Sequence, residues 1–243
     1  MLILLPPSET KRPGGVGISI DKAAIIWAAL DPARDQLINS LAELCQHELL
    51  AKKALGLGKK SAQDIQLNLN LMTAPTMPAL QRYSGVLYEA LEYESLSDAA
   101  LKRANEKLFI QSALFGLLPA MEQIPNYRFS ASAKLPGVNL RTVWEQAHQA
   151  VWPRMIGEIL DLRSKEYQEI NPVPQDRTHY TVEVLTADGK ALNHFNKKAK
   201  GLFARAALER GLENISEVAE VAELAGLKAS VEGQTVKLFT PST

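Results

Sequence analysis

Four lysines, Lys52, Lys53, Lys59 and Lys60, flank the run Leu55-Gly56-Leu57-Gly58, and no acid lies between Glu48 and Asp64. Gly56 and Gly58 permit a tight turn and let the backbone come close to an anion. A helix that starts just after such a turn begins with unpaired N–H groups and the positive end of its dipole. Turn, cations and helix start then make a phosphate site that reads no bases. The same residues also suit an ordinary helical hairpin with solvated lysines. A second basic run is His194-Phe195-Asn196-Lys197-Lys198-Ala199-Lys200-Gly201. Cations in a first helical turn oppose the dipole by some tenths of a kcal/mol each. Gly201 inside a helix costs about 1 kcal/mol relative to alanine. Ala199, Leu202, Phe203 and Ala206 are the expected buried face, while Lys198, Gly201 and Arg205 share another. That second face reads as a basic stripe open to a phosphodiester, or as solvated lysines with Gly201 packed against a strand.

Further cations stand at expected strand ends and in loops: Lys11, Arg128, Lys134, Arg163 and Lys165. Strand ends are where α/β folds build sites. With Lys197, Lys198 and Arg205 they form a candidate basic cleft. Glu9 and Glu166 are candidates for acid/base work beside it, and no other catalytic group is assigned. His47, His148, His179 and His194 show no zinc spacing, and Cys45 is the single cysteine. No Walker or Rossmann glycine pattern occurs. Ser8-Glu9-Thr10-Lys11 matches Ser-x-x-Lys without its companion motifs. No metal and no cofactor is expected, and Cys45 reads as a buried, inert thiol.

The elements that would carry these groups follow from periodicity. Residues 2–5 form a buried strand stopped by Pro6 and Pro7, with a loop to Gly17. Residues 32–50 form a helix with Leu37, Leu41, Leu44 and Leu49 on one face. Residues 61–69, 78–91 and 98–104 are helical. Residues 108–118 read as one buried strand, 126–136 as an irregular basic loop, 140–151 as a helix and 156–162 as a strand. Residues 181–185 and 191–195 flank Asp188-Gly189, a hairpin signal. A helix capped by Asn196 runs to Arg210, followed by Gly211. Residues 216–225 form another helix, and a hairpin around Glu232-Gly233 closes the chain. Strands alternating with helices and hairpins predict an α/β (α+β) fold with a mixed β-sheet.

Composition sets the limits. The 243 residues suit one domain over 1–243, and 46% are apolar. Lys plus Arg number 27 and Asp plus Glu number 27, which excludes a wholly basic nucleic-acid protein and requires any such surface to be local. No run reaches the roughly 18 apolar residues of a membrane helix. The start has neither a basic region nor the length of a signal peptide. A cytoplasmic monomer without membrane contact is the expectation.

The run from Leu55 to Ile65 resembles the helix-hairpin-helix DNA-binding motif, set in an element over residues 35–70. Five further segments resemble the actinobacterial branch of the YaaA-type peroxide-stress family. They are Met1-Leu2-Ile3-Leu4-Leu5-Pro6-Pro7-Ser8-Glu9-Thr10-Lys11, Ser112 to Leu118, Tyr127-Arg128 with Lys134-Leu135-Pro136-Gly137, Asp161 to Tyr167, and His194 to Gly201. Thr10, Ala113, Phe115 and Asn126 depart from the family's pattern. The resemblance implies a stress protein that limits oxidative DNA damage and lowers free iron. It also implies a helix-hairpin-helix and a positively charged cleft that bind DNA, duplex or distorted as at a junction. The alternatives are an enzyme on a nucleotide or base using Glu9 and Glu166, or an iron-limiting protein.

Overall fold

A computed structural model describes residues 1–20, 25–59, 61–186 and 195–241. Lys60, His194 and the expected hairpin turn at Asp188-Gly189 lie outside them.

The chain opens with β1 (Leu2–Leu5), every residue of which is buried. Parallel strands covered on both faces are apolar throughout rather than alternating. β1 has β4 (Leu108–Ser112) on one side and β7 (Ile159–Asp161) on the other, both parallel to it. Parallel pairing continues through β8 (His179–Leu185) to β10 (Thr235–Phe239). Antiparallel β5 (Gly116–Pro119) and β9 (Lys228–Glu232) form the edges, giving a seven-stranded sheet in the order β5-β4-β1-β7-β8-β10-β9. A small antiparallel sheet joins β2 (Gly17–Ser19), β3 (Pro75–Pro78) and β6 (Gln123–Ile124). The fold is mixed α/β, as the sequence predicts.

Three elements expected to be continuous are each divided in two. The helix expected over 32–50 is α1 (Asp31–Cys45) followed, after Gln46 and His47, by α2 (Glu48–Ala54). The break turns Leu49 to solvent, at 84% exposure, instead of onto the apolar face. The helix expected over 78–91 is α4 (Ala79–Arg82) and α5 (Val86–Leu91), split where Tyr83 is extended and bridges Lys11. The Arg12 N–H donates to the Arg82 carbonyl at 2.8 Å and the Ser84 N–H to the Thr10 carbonyl at 3.1 Å, so the loop after β1 is stitched into this break. The strand expected over 108–118 is the β4–β5 hairpin. Ser112 Oγ accepts from the N–H groups of Leu114 and Phe115 at 3.1 Å each and turns the chain inside an unbroken apolar run.

The remaining helices are α3 (Ser61–Leu69), α6 (Asp98–Lys107), α7 (Leu140–His148), α8 (Lys165–Ile170), α9 (Phe195–Arg210) and α10 (Val218–Leu224). Phe195 opens α9 rather than closing a strand. Arg34, Arg82 and Arg163 are wholly buried and gather loop carbonyls. Among the described residues no helix is long and apolar enough to cross a membrane.

Candidate functional site

α2 and α3 meet at a turn in which Gly56 has φ +60°, a conformation that favours glycine. The Leu57 N–H donates to the Lys52 carbonyl at 2.9 Å and closes the end of α2. Leu55 and Leu57 point inward and are buried. Gly58, Lys52, Lys53 and Lys59 are exposed around the turn. The turn is fixed by its leucines while its cations stay in solvent.

Two fastenings tie this helix pair to the rest. Buried Asn68, on α3, donates from Nδ2 to the Arg128 carbonyl at 2.9 Å and accepts from the Arg128 N–H at 2.8 Å. The Lys134 N–H donates to the Ala54 carbonyl at the end of α2 at 2.9 Å. Arg128 in turn pairs through Nη2 with Glu9 Oε2 at 2.7 Å, and Nη1 donates to the Glu9 carbonyl at 3.2 Å. A continuous path therefore runs from α3 through Asn68 and Arg128 to the loop after β1.

That loop walls a cavity of about 580 Å³ at the C-terminal ends of β1 and β7. Its lining includes Ser8, Glu9, Ser130, Ser164, Glu166, Asn196, Lys197 and Lys200. Glu166 also lines a groove of about 540 Å³ with Ser132, Lys134 and Arg141. Ser132 and Lys134 then line a depression of about 390 Å³ with Lys53 and Gly56. Shared residues connect the helix–turn–helix to the cavity, one depression into the next.

The expected cleft cations have different fates. Lys134, Lys165, Lys197 and Lys198 are exposed. Arg163 is buried instead, held by Asp161 through Nε at 2.9 Å and Nη2 at 2.7 Å, with Nη1 donating to the Asn171 carbonyl at 2.8 Å. Its guanidinium is used up inside the fold. Arg205 donates to the carbonyls of Leu91, Glu92 and Ser95, each at 2.9 Å, and closes the end of α5. Gly201 does not open a basic stripe either. A Cβ there would lie 2.2 Å from the Leu87 carbonyl oxygen, so glycine lets α9 press against α5. Lys11 is half-buried beneath its own loop: Nζ donates to the Ser8 carbonyl at 3.0 Å and lies 4.2 Å from the Tyr127 ring centre. Burial, reinforced by Arg128, pushes it down to about 7.

Lys200 is the residue that the cation count hid. It is 7% exposed, and Nζ donates to the carbonyls of Leu162 at 3.0 Å and Arg163 at 3.3 Å. Burial pushes its amine down to about 8, with Asp161 and Glu183 opposing the shift. The signal was spacing: Lys200 lies three, four, seven and eight positions before Phe203, Ala204, Ala207 and Leu208, all buried. Asn196 is not among the expected site residues, yet its Oδ1 is buried and has no partner among the described residues. Cys45 is buried, and burial pushes its thiol up. Among the described residues no group of three or more His, Cys, Asp or Glu side chains could hold a metal ion.

Comparison with known proteins gives a single direction. A family model described as peroxide stress protein YaaA matches residues 1–232. A UPF0246 protein of Corynebacterium efficiens is 41% identical over 243 residues, covering 95% of each chain. One from Corynebacterium glutamicum is 40% identical over 241 residues, covering 93% of this chain and 94% of its own. One from Streptomyces coelicolor is 36% identical over 241 residues, covering 96% of this chain and 93% of its own.

Proposed function

The chain belongs to the peroxide stress protein YaaA family, and on that premise we propose that it binds DNA and thereby limits oxidative DNA damage. The α2–turn–α3 pair acts as a helix-hairpin-helix, with Lys52, Lys53, Lys59 and Lys60 on backbone phosphates. Gly56 and Gly58 let the turn approach the strand closely. The single observation carrying this reading is the run of depressions from Lys53 and Gly56, through Lys134, to the cavity at Glu166. A strand held at the turn has a continuous track into the protein. Phosphate contacts position the duplex without reading sequence, so affinity depends on salt and little on bases.

The test is binding to fluorescent duplex and four-way-junction DNA across a salt series, with Lys59→Glu/Lys60→Glu beside the parent. Each phosphate contact contributes about 0.9 to the slope of log affinity against log salt. The double variant loses affinity, and its slope falls by about 2. Absence of binding by the folded parent at low salt, or binding indifferent to salt, refutes the reading. A second reading, chemistry on a nucleotide or base, is favoured by one observation: Glu9 and Glu166 line the same cavity.

A further inference from the structure

Lys200 sits in the cavity wall, buried, and among the described residues it forms no ion pair with a carboxylate. Its Nζ has two backbone acceptors, the carbonyls of Leu162 and Arg163. A neutral amine has two N–H bonds and one lone pair. The two carbonyls match the two N–H bonds and leave the lone pair free for an electrophile. An ammonium in the same place would carry a third N–H and lose its hydration, which burial disfavours. The amine's downward shift to about 8 supplies a neutral fraction of about a tenth at pH 7, far more than an exposed lysine has.

The surroundings suit an electrophilic carbon as the guest. Glu166 lines the cavity with Lys200, and a carboxyl group suits proton transfer; Glu9 is already paired with Arg128. Asn196 Oδ1, buried and without a partner among the described residues, is an acceptor for a guest hydroxyl. Ser8, Ser130 and Ser164 add hydroxyls, and about 580 Å³ holds a sugar phosphate. Lys11 is less suited, because its amine lies against the Tyr127 ring under the loop.

We propose that Lys200 is an imine-forming catalytic residue and that the cavity takes the aldehyde of a ring-opened sugar, supplied in DNA by an abasic site. The Lys200 nitrogen attacks the aldehyde carbon and the carbonyl electron pair goes to oxygen, which takes up the proton that nitrogen gives up. Glu166 then protonates the resulting hydroxyl, which leaves as water. Nitrogen gives its second proton back to the Glu166 carboxylate as the C=N bond forms. One amine and one aldehyde give one imine and one water, and no oxidant is required. The abasic source rests on the DNA-binding reading, whereas the amine chemistry does not.

Borohydride trapping tests both parts. The protein is incubated with 2-deoxyribose 5-phosphate or with a duplex bearing one abasic site, reduced, and mapped by peptide mass. The expected adduct is at Lys200 with either aldehyde, carrying the guest's mass less one water plus two hydrogens. Lys200→Arg keeps a cation and abolishes it, Lys228→Arg on the exposed edge strand leaves it intact, and Glu166→Gln slows its formation by about 100-fold. No adduct with either aldehyde, or adducts scattered over surface lysines, overturns the proposal; the mapping needs only parent protein. An adduct with the small aldehyde alone overturns the abasic source. Loss of binding to intact duplex, with the small-aldehyde adduct retained, removes the DNA reading and leaves Lys200's chemistry standing.

Discussion

Replacing Gly201 with alanine sets two effects of known size against each other. Inside an exposed helix the change stabilises by about 1 kcal/mol. Here the new Cβ would lie 2.2 Å from the Leu87 carbonyl oxygen and 2.8 Å from the Ala90 Cβ. The first of these is backbone and cannot swing away. Relieving the contact requires α5 and α9 to separate by about 1 Å, given ordinary contact distances of about 3.5 Å. The movement would stretch the bonds from Arg205 to the carbonyls of Leu91 and Glu92, both now 2.9 Å. Overpacking of this kind costs about 1–3 kcal/mol, and contact with backbone puts it at the upper end. The net expectation for Gly201→Ala is a loss of about 1–2 kcal/mol in urea unfolding. The melting temperature should fall by about 2–4 °C per kcal/mol. A variant at least as stable as the parent refutes the packing argument. Greater stability together with weaker DNA binding would restore Gly201 to a phosphate-approach role.

Two further outcomes follow from buried charge. His148 Nδ1 donates to the Trp144 carbonyl at 2.8 Å, and Nε2 accepts from the Leu117 N–H at 3.2 Å, so the ring is neutral in the fold; burial pushes it down to about 3 from 6.5. The unfolded chain takes the proton first, so this stability is whole above pH 6.5 and drains as pH falls toward 3. Between pH 7 and 5 the loss is about 2 kcal/mol, measured by urea unfolding; an equal pH dependence in His148→Gln would disprove the assignment. Arg163→Met strands the buried Asp161 carboxylate and should cost about 3–5 kcal/mol at neutral pH, where a loss below about 1 kcal/mol would count against a closed buried pair.

The parts of this fold legible in sequence are those that local rules decide. Leu2–Leu5 reads as a buried strand because apolar residues on both faces suit a parallel sheet centre, and Glu232-Gly233 reads as a hairpin because the turn chemistry is local. The rest depended on distant partners. Tyr83 leaves the helix because Lys11 pairs with it, and nothing within residues 78–91 announces a strand-like contact from residue 11. Charge alone places Arg163 in the cleft; Asp161, two residues earlier, is the clue to its buried pairing. Charge groups Lys200 with Lys197 and Lys198, whereas helical spacing puts it with Phe203 and Ala207. The segments carrying Glu9 and Glu166 are both legible as following strands, but their meeting requires β1 and β7 to be neighbours.

The position of β1 also governs the order of assembly. β1 is synthesised before both of its neighbours, strands that begin at residues 108 and 159. At about 5–20 residues per second, synthesis leaves β1 without both neighbours for roughly 8–30 s. Contacts this far apart in sequence also slow folding, because their loops must close first. The cavity at the C-terminal ends of β1 and β7 therefore forms late, and a truncated chain ending before residue 159 lacks the wall that Leu162, Ser164 and Glu166 supply.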